Sequence, residues 1–228
     1  MLKQLLVFTL LFSITSVGCS QQEVKTTNSK KNGTKSISEY IKKNKYADYD
    51  VATFAGGCFW CTEAAFERIE GVKDVISGYS GGHTERPTYK EVGGGNTGHA
   101  EAIMIYFDPD VVSFETLLDV FFVAHDPTTL DRQGPDVGEE YRSAIYYHNE
   151  KQKELAEQTI KRIDDSGKLS RPIVTEVTRY EEFWVAEKYH QNYYELNPNQ
   201  PYVSNVSRPK VEKVMKEFNS ILKKKYRK

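Results

Sequence analysis

Cysteine is scarce in this chain. Of 228 residues only three are cysteine, at positions 19, 58 and 61, and none follows residue 61. A zinc knuckle needs four ligands. No second cysteine pair exists here, and none of the five histidines is spaced to supply the rest. Long apolar runs are scarce too. The run at the start, Leu5 to Val17, falls short of the roughly 20 residues a transmembrane helix requires. Positive charge is missing from the body: residues 48–207 hold 14 basic and 28 acidic groups, a net of −14. That balance weighs against nucleic acid, which rewards clustered positive charge. No internal repeat is visible.

What the chain does have begins with an address. The opening MLKQLLVFTLLFSITSVGCS places Lys3 before a short apolar run, the pattern of a secretory signal peptide. Ser16-Val17-Gly18-Cys19 resembles the bacterial lipobox, which implies cleavage before Cys19 and lipid attachment to it. The reading is therefore a lipoprotein signal peptide over 1–18 and a lipid-bearing Cys19. A flexible polar linker over 19–48 and one catalytic domain over 49–228 follow. The protein is expected on the outer side of a bacterial membrane, periplasmic or cell-surface, as a monomer. Residues 20–47 hold seven Lys against two Glu, and residues 208–228 nine Lys or Arg against two Glu. Both basic ends read as solvated segments, with contact to anionic lipid headgroups as the second reading.

Hydrophobic periodicity orders the body. Asp50 to Gly56 reads as a strand, 58–69 as a helix with Ala64, Ala65 and Ile69 inward, and Val72 to Tyr79 as a second strand. A glycine-rich loop of about twenty residues leads to a third strand, His99 to Phe107. Ser113 caps a helix bearing Phe114, Leu117, Leu118, Phe121 and Phe122. Arg142 to Tyr147 reads as a strand, Asn149 caps another helix, and Arg171 to Val177 reads as a further strand. The order β-α-β-β-α-β over 50–147 predicts an α+β fold of ferredoxin-like (split βαβ) type, a two-layer sandwich with a mixed sheet. A C-terminal helical extension presents Val211, Val214, Met215, Phe218, Ile221 and Leu222 on one stripe.

The stretch GGCFWC, Gly56 to Cys61, stands where the first strand turns into the first helix. A thiol is nucleophilic as thiolate, and the free N–H groups of a helix start favour an anionic sulfur. Cysteines at i and i+3 fall within the bridgeable Cα separation of about 4.4–6.8 Å. The second thiol is thus placed to capture an oxidised first thiol. A static disulfide is an alternative, although so small a loop gains little from closure entropy. Two inert core thiols are another, but they leave the flanking glycines and aromatics unexplained.

The run Gly57-Cys58-Phe59-Trp60 resembles the signature of the peptide methionine sulfoxide reductase A family. Ordered blocks elsewhere are similar to that family: Gly78-Tyr79-Ser80-Gly81-Gly82, Pro87-Thr88-Tyr89, Thr97-Gly98-His99-Ala100-Glu101-Ala102, His125-Asp126-Pro127, Asp131-Arg132-Gln133-Gly134 with Asp136, and Tyr141-Arg142-Ser143. Phe183-Trp184, His190-Gln191 and Asn197-Pro198 complete the resemblance, which spans roughly residues 50–215. Gly93, Gly95 and Gly98 also satisfy G-x-G-x-x-G, but a strand rather than a helix follows, so they read as loop.

Reducing a sulfoxide needs a thiolate, an acid for the departing oxygen and a pocket for the S-methyl group. Cys58 is the candidate nucleophile. Alternation sets Glu101 on one face with Ile103, Ile105 and Phe107, and apolar neighbours raise a carboxyl pKa. A carboxyl so protonated can donate to the sulfoxide oxygen. Read without the family, Glu101 could equally be a solvated strand end, and Phe59 and Trp60 would be core rings. The resemblance implies an acid role for Glu101 and a cage of Phe59 and Trp60, with Trp184 as a second wall. It further implies that Tyr89 and Tyr141 hydrogen-bond the sulfoxide oxygen and that Asp136 helps hold the site. It implies the S epimer of methionine sulfoxide as substrate, a Cys58 sulfenic acid, and no metal or organic cofactor. Electrons would come from thioredoxin or a thioredoxin-like dithiol.

One departure stands out. Many members carry a recycling cysteine after a C-terminal Pro-Tyr, whereas Pro201-Tyr202 is followed here by Val203. Cys61 is therefore the expected resolving thiol, with an external thiol as the alternative. A general thiol–disulfide oxidoreductase and a surface binding module are the competing functions.

Overall fold

The computed structural model describes residues 33–41 and 45–227. The apolar run, Cys19 and the linker as far as residue 32 lie outside the described residues. A seven-stranded mixed sheet has the segments Lys35–Ser36 (β1) and Phe183–Val185 (β9) at one edge and Glu176–Arg179 (β8) at the other. Its central strands are β2 (Asp50–Gly56), β3 (Val72–Ser80), β4 (Ala100–Phe107) and β7 (Ser143–Tyr147). Pairing is antiparallel throughout except between β7 and β8 (Glu176–Arg179), which are parallel. The parallel return requires a crossover, and α5 (Glu150–Asp165), capped by Asn149, supplies it.

Alternation along β4 sorts its side chains between the two faces. Ile103, Ile105 and Phe107 join the core beneath the helices, while Ala100, Ala102, Met104 and Tyr106 face the other way. The helix face is covered by α2 (Phe59–Glu67), α4 (Phe114–Ala124, capped by Ser113) and α7 (Arg208–Glu217). Phe54, Phe66, Ile69, Leu117, Leu118 and Phe121 are fully buried there. Each contributes on the order of 1.5–3 kcal/mol by leaving water. Val211 and Val214 of α7 are buried on the same side, and Leu222 completes the tail's apolar stripe.

The opposite face of the sheet carries a finding against expectation. Of the segment assigned to a flexible linker, the described residues 33–41 and 45–48 are part of the body. β1 (Lys35–Ser36) pairs with β9 (Phe183–Val185), and α1 (Ile37–Tyr40) follows it. Ile37, Ile41 and Tyr49 pack on the second apolar cluster, and Tyr46 stacks on Tyr106 with ring centroids 4.0 Å apart. Two residues are too few to show a strand's alternation, so composition concealed this edge.

The last expected strand also moves. Pro172 has no N–H to offer a ladder. The Ile173 and Val174 amides are taken by Asp164 Oδ1 (3.0 Å) and the Pro127 carbonyl (2.8 Å). Pairing therefore begins at Glu176 rather than Arg171. The long glycine-rich loop contains a short helix, α3 (Tyr89–Val92), closed by a capping box between Thr88 and Glu91. A two-stranded ribbon, β5 (Arg132–Gln133) with β6 (Asp136–Val137), precedes the 3-10 turn that ends at Tyr141. α6 (Tyr193–Leu196) lies between β9 and α7.

Candidate active site

The site is built where β2 ends. Gly57 turns at φ +77, a left-handed conformation that favours glycine. A Cβ there would fall 2.4 Å from the Gln133 side chain, so the close fit demands glycine as well. The turn delivers Cys58 to the N-cap of α2, one residue before the helix proper. Cys58 and Cys61 are both free thiols and both buried.

Glu101 is only 2% exposed, and its Oε2 accepts the Phe59 N–H at 3.0 Å. The carboxyl therefore stands at the first amide of the helix, beside the Cys58 position. Burial pushes its pKa up to about 8, against the opposing Phe59 hydrogen bond and with further upward pressure from Asp136. Desolvation wins, and Glu101 is a neutral acid at neutral pH.

The two thiols shift in opposite directions. Burial pushes the Cys58 thiol well up, and its hydrogen bond to Cys61 adds to this. The Trp60 amide opposes both but does not prevail. Cys61 moves down, chiefly because Cys58 donates to it, with Lys210 and Ser207 assisting. A 3.2 Å hydrogen bond joins Cys61 Sγ and Ser207 Oγ. The helix start thus does not by itself ionise Cys58. Within the pair, Cys58 holds its proton the more firmly and Cys61 ionises the more readily.

Rings surround this centre. Phe59 is buried and lies 5.9 Å from Tyr79 and 5.0 Å from His190, centroid to centroid. Trp60 is partly open, stacks on Tyr193 at 3.8 Å, and meets Tyr202 edge-on at 5.7 Å. Its Nε1–H donates to His190 Nδ1 at 3.0 Å. Burial lowers the His190 pKa to about 4, so the imidazole stays neutral and able to accept. Tyr89 packs on His190 at 4.4 Å, and the Tyr89 N–H donates to Glu187, which also accepts the Tyr79 hydroxyl at 2.9 Å. Burial and the Glu101 carboxyl raise the phenols of Tyr89 and Tyr141, so both remain hydrogen-bond donors. Asp136 accepts the Tyr202 hydroxyl.

Cys58, Phe59, Trp60, Cys61, Tyr89, Glu101, Asp136 and Tyr141 therefore come together. Trp184 does not join the rings. It pairs with Tyr79 across β9 and β3, and Arg86 lies over it at 5.8 Å. Among the described residues no ring contact links it to Phe59 or Trp60. Trp184 packs against the core cluster that holds Phe59 and Tyr79, while Tyr193 and Tyr202 flank Trp60. They, His190 and Ser207 were missed because their segment folds in short 3-10, α and π turns that leave no period to read. The expected recycling position, Val203, is fully buried in the π turn that brings Ser207 to Cys61.

A pair of free, buried thiols next to a neutral carboxyl and an open aromatic cage is the arrangement of a thiol-based oxidoreductase. Residues 50–222 match the family model described as peptide methionine sulfoxide reductase. A relative from Natronomonas pharaonis named peptide methionine sulfoxide reductase MsrA is 55% identical over 168 residues, 74% of this chain and 94% of the relative. One from Rhodopirellula baltica is 50% identical over 82% of this chain and 96% of its own length. Mxr1 from Saccharomyces cerevisiae in reduced form superposes with a TM-score of 0.62 at 34% identity, covering 70% of this chain and 93% of Mxr1. Methionine sulfoxide reductase A of Corynebacterium diphtheriae gives 0.60 at 33% identity, over 66% of this chain and 76% of that one. The chain belongs to the peptide methionine sulfoxide reductase A family, and it is an oxidoreductase.

Proposed function

We propose that this protein reduces methionine S-sulfoxide, free or in oxidised proteins, by the chemistry of Cys58, Glu101 and Cys61. One observation carries the reading: the Phe59 amide pins a neutral Glu101 beside Cys58 at the mouth of an aromatic cage. Phe59 and Trp60 hold the S-methyl group by burial and sulfur–aromatic contact. Tyr89 and Tyr141 donate to the sulfoxide oxygen.

Cys58 releases its S–H proton and attacks the sulfoxide sulfur. Glu101 protonates the oxygen. The S–O bond of the substrate breaks, methionine leaves, and Cys58 becomes a sulfenic acid, the reversible rung of thiol oxidation. Cys61 then attacks the Cys58 sulfur. The S–S bond forms, the S–O bond breaks, and the Cys61 proton leaves with the hydroxide as water. A thioredoxin-like dithiol reduces the disulfide by exchange. The two protons of the water are those that Glu101 and Cys61 held, and the proton that Cys58 released restores Glu101.

Asp136 serves by fixing Tyr202 against Trp60. In fold terms, the order β3-β4-β2-β7, antiparallel throughout, supports a ferredoxin-like reading of the central strands. The reading includes a monomer tethered by lipid at Cys19 outside the cytoplasm. Metabolic labelling with a fatty acid tests it: wild type takes up label, Cys19→Ser does not, and label in both would refute it.

The test of the reaction is turnover of both epimers of N-acetylmethionine sulfoxide with excess dithiothreitol. The S epimer should be consumed, and Cys58→Ser should abolish turnover. Cys61→Ser should release one equivalent of methionine without reductant and lose thioredoxin-linked cycling. A Cys61→Ser variant that still cycles fully with thioredoxin would refute the resolving role.

A further inference from the structure

Four cations meet around one cavity, although residues 48–207 are acidic by a net −14. The cavity has a volume of about 500 Å³ and is lined by Lys168, Arg171, Lys210 and Lys213, with Asp126 as the acid of its lining. That volume lies in the ~300–1,000 Å³ range of small-molecule pockets. Its walls come from three places: the end of α4, the segment that follows α5, and the first half of α7. Lys210 and Lys213, three apart on α7, stand on one face. No residue of the aromatic cage lines this cavity.

The lining does not neutralise itself. Both oxygens of Asp126 are engaged: Oδ1 by the Thr128 amide and hydroxyl, Oδ2 by Arg171 at 3.7 Å. The His125 ring is neutral and committed to the Phe121 carbonyl and the Ser143 hydroxyl. Four positive charges thus face one negative charge. Helix ends account for part of this: Lys168 and Arg171 follow the C-terminus of α5, where cations are favoured. Lys210 has no such reason, since it sits at the start of α7. Its Nζ is buried and makes no hydrogen bond. A buried ammonium is costly unless an anion meets it.

We propose that this cavity binds a soluble phosphate monoester, with Lys210 as its inner anchor and Lys168, Arg171 and Lys213 at its rim. A phosphate monoester carries about −1.5 to −2 charge at neutral pH and three strong acceptor oxygens, which suits a lining rich in cations and poor in free acid. Lys210 lines the cavity along its flexible four-carbon stem, so a turn of its end brings Nζ to a phosphate oxygen. The rim cations are exposed and free to close on the same group. Phe122, Val123, Pro127 and Leu169 supply an apolar wall, which favours an ester with an apolar body over inorganic phosphate. A carboxylate would bring a single charge and leave most of the lining unmet. The site stands apart from the sulfoxide chemistry and does not depend on it.

The test is isothermal titration of the whole chain at low ionic strength with phenyl phosphate as the probe. One saturable site with a Kd below about 1 mM is expected. Inorganic phosphate, which lacks the ring, and benzoate, which lacks the second charge, should each bind at least about tenfold more weakly. Lys210→Met should weaken phenyl phosphate by about tenfold, the loss of one charge-assisted hydrogen bond. Lys216→Met, an exposed lysine of the same helix outside the cavity, should leave the affinity unchanged. If Lys210→Met fails to fold, the Lys168→Met, Lys213→Met double variant reads the same loss from the rim. Absence of saturable binding overturns the proposal, and so does binding that these cavity variants leave intact. An equal loss in Lys216→Met would make the attraction a diffuse one of the basic tail and overturn it too. Equal affinity for inorganic phosphate or for benzoate would refute the monoester as the ligand.

Discussion

Two buried carboxyls stand at helix α2, one brought to it from β4 and one its own, and their surroundings differ. Glu101 meets its first amide from the sheet. Glu63 belongs to the helix itself, is 1% exposed, and accepts the Asn192 N–H with both oxygens at 3.1 and 3.0 Å. Burial raises both to about 8, and in both a backbone N–H opposes it without prevailing. Their proton equilibria are alike. Their neighbours are not: Glu101 faces Cys58 and the tyrosine pair, whereas Glu63 faces the loop that carries His190 and Tyr193. A perturbed carboxyl therefore marks burial, and a reacting sulfur beside it is what turns burial into chemistry.

The largest effect should separate the two directly. Glu101→Gln keeps the shape but has no proton to give, so kcat for sulfoxide reduction should fall on the order of 10²–10⁴-fold. Glu63→Gln should stay within about threefold of wild type, because its amide oxygen still accepts from Asn192. Equal losses in steady-state kinetics would break the comparison.

The pH profile sharpens it. Activity needs Glu101 protonated, so kcat should decline as pH rises through about 8 in the wild type and in Glu63→Gln. Glu101→Gln should lose that limb from its residual activity.

Stability should see both groups. Each has a folded pKa raised above its unfolded value. The stability each contributes is complete below the unfolded value, and is lost as pH rises through about 8. The slope is about 1.4 kcal/mol per pH unit per group across that window. Urea midpoints should therefore fall between mildly acidic and mildly basic pH. Either single Gln variant should remove about half of the slope that these two groups contribute, and the double variant nearly all of it.

The smallest effect concerns the loop that Glu63 holds. Asn192 sits at φ 57, and Asn192→Ala should cost about 1–2 kcal/mol by urea titration, with Asn192→Gly close to neutral.

Much of this was legible in sequence because local rules apply where the thiols lie. Period two along β4 set Glu101 among inward residues, and the glycines before Cys58 announced a tight turn. Ser113 and Asn149 named the helix starts. The unreadable parts depend on distant pairing. β1 and β9 are two and three residues long, and each exists only through its partner. Tyr202 and Ser207 reach the site from the far end of the chain. The raised Cys58 thiol was not legible for a similar reason: the helix start is local, whereas the burial that outweighs it comes from the whole fold.

The most direct test is the ionisation of Glu101 itself, read as the carboxyl band in infrared difference spectra of wild type against Glu101→Gln across pH. The account predicts a protonated carboxyl at neutral pH that titrates near 8, together with the decline in kcat. A carboxylate already formed in mildly acidic solution, with activity unaffected, would contradict it.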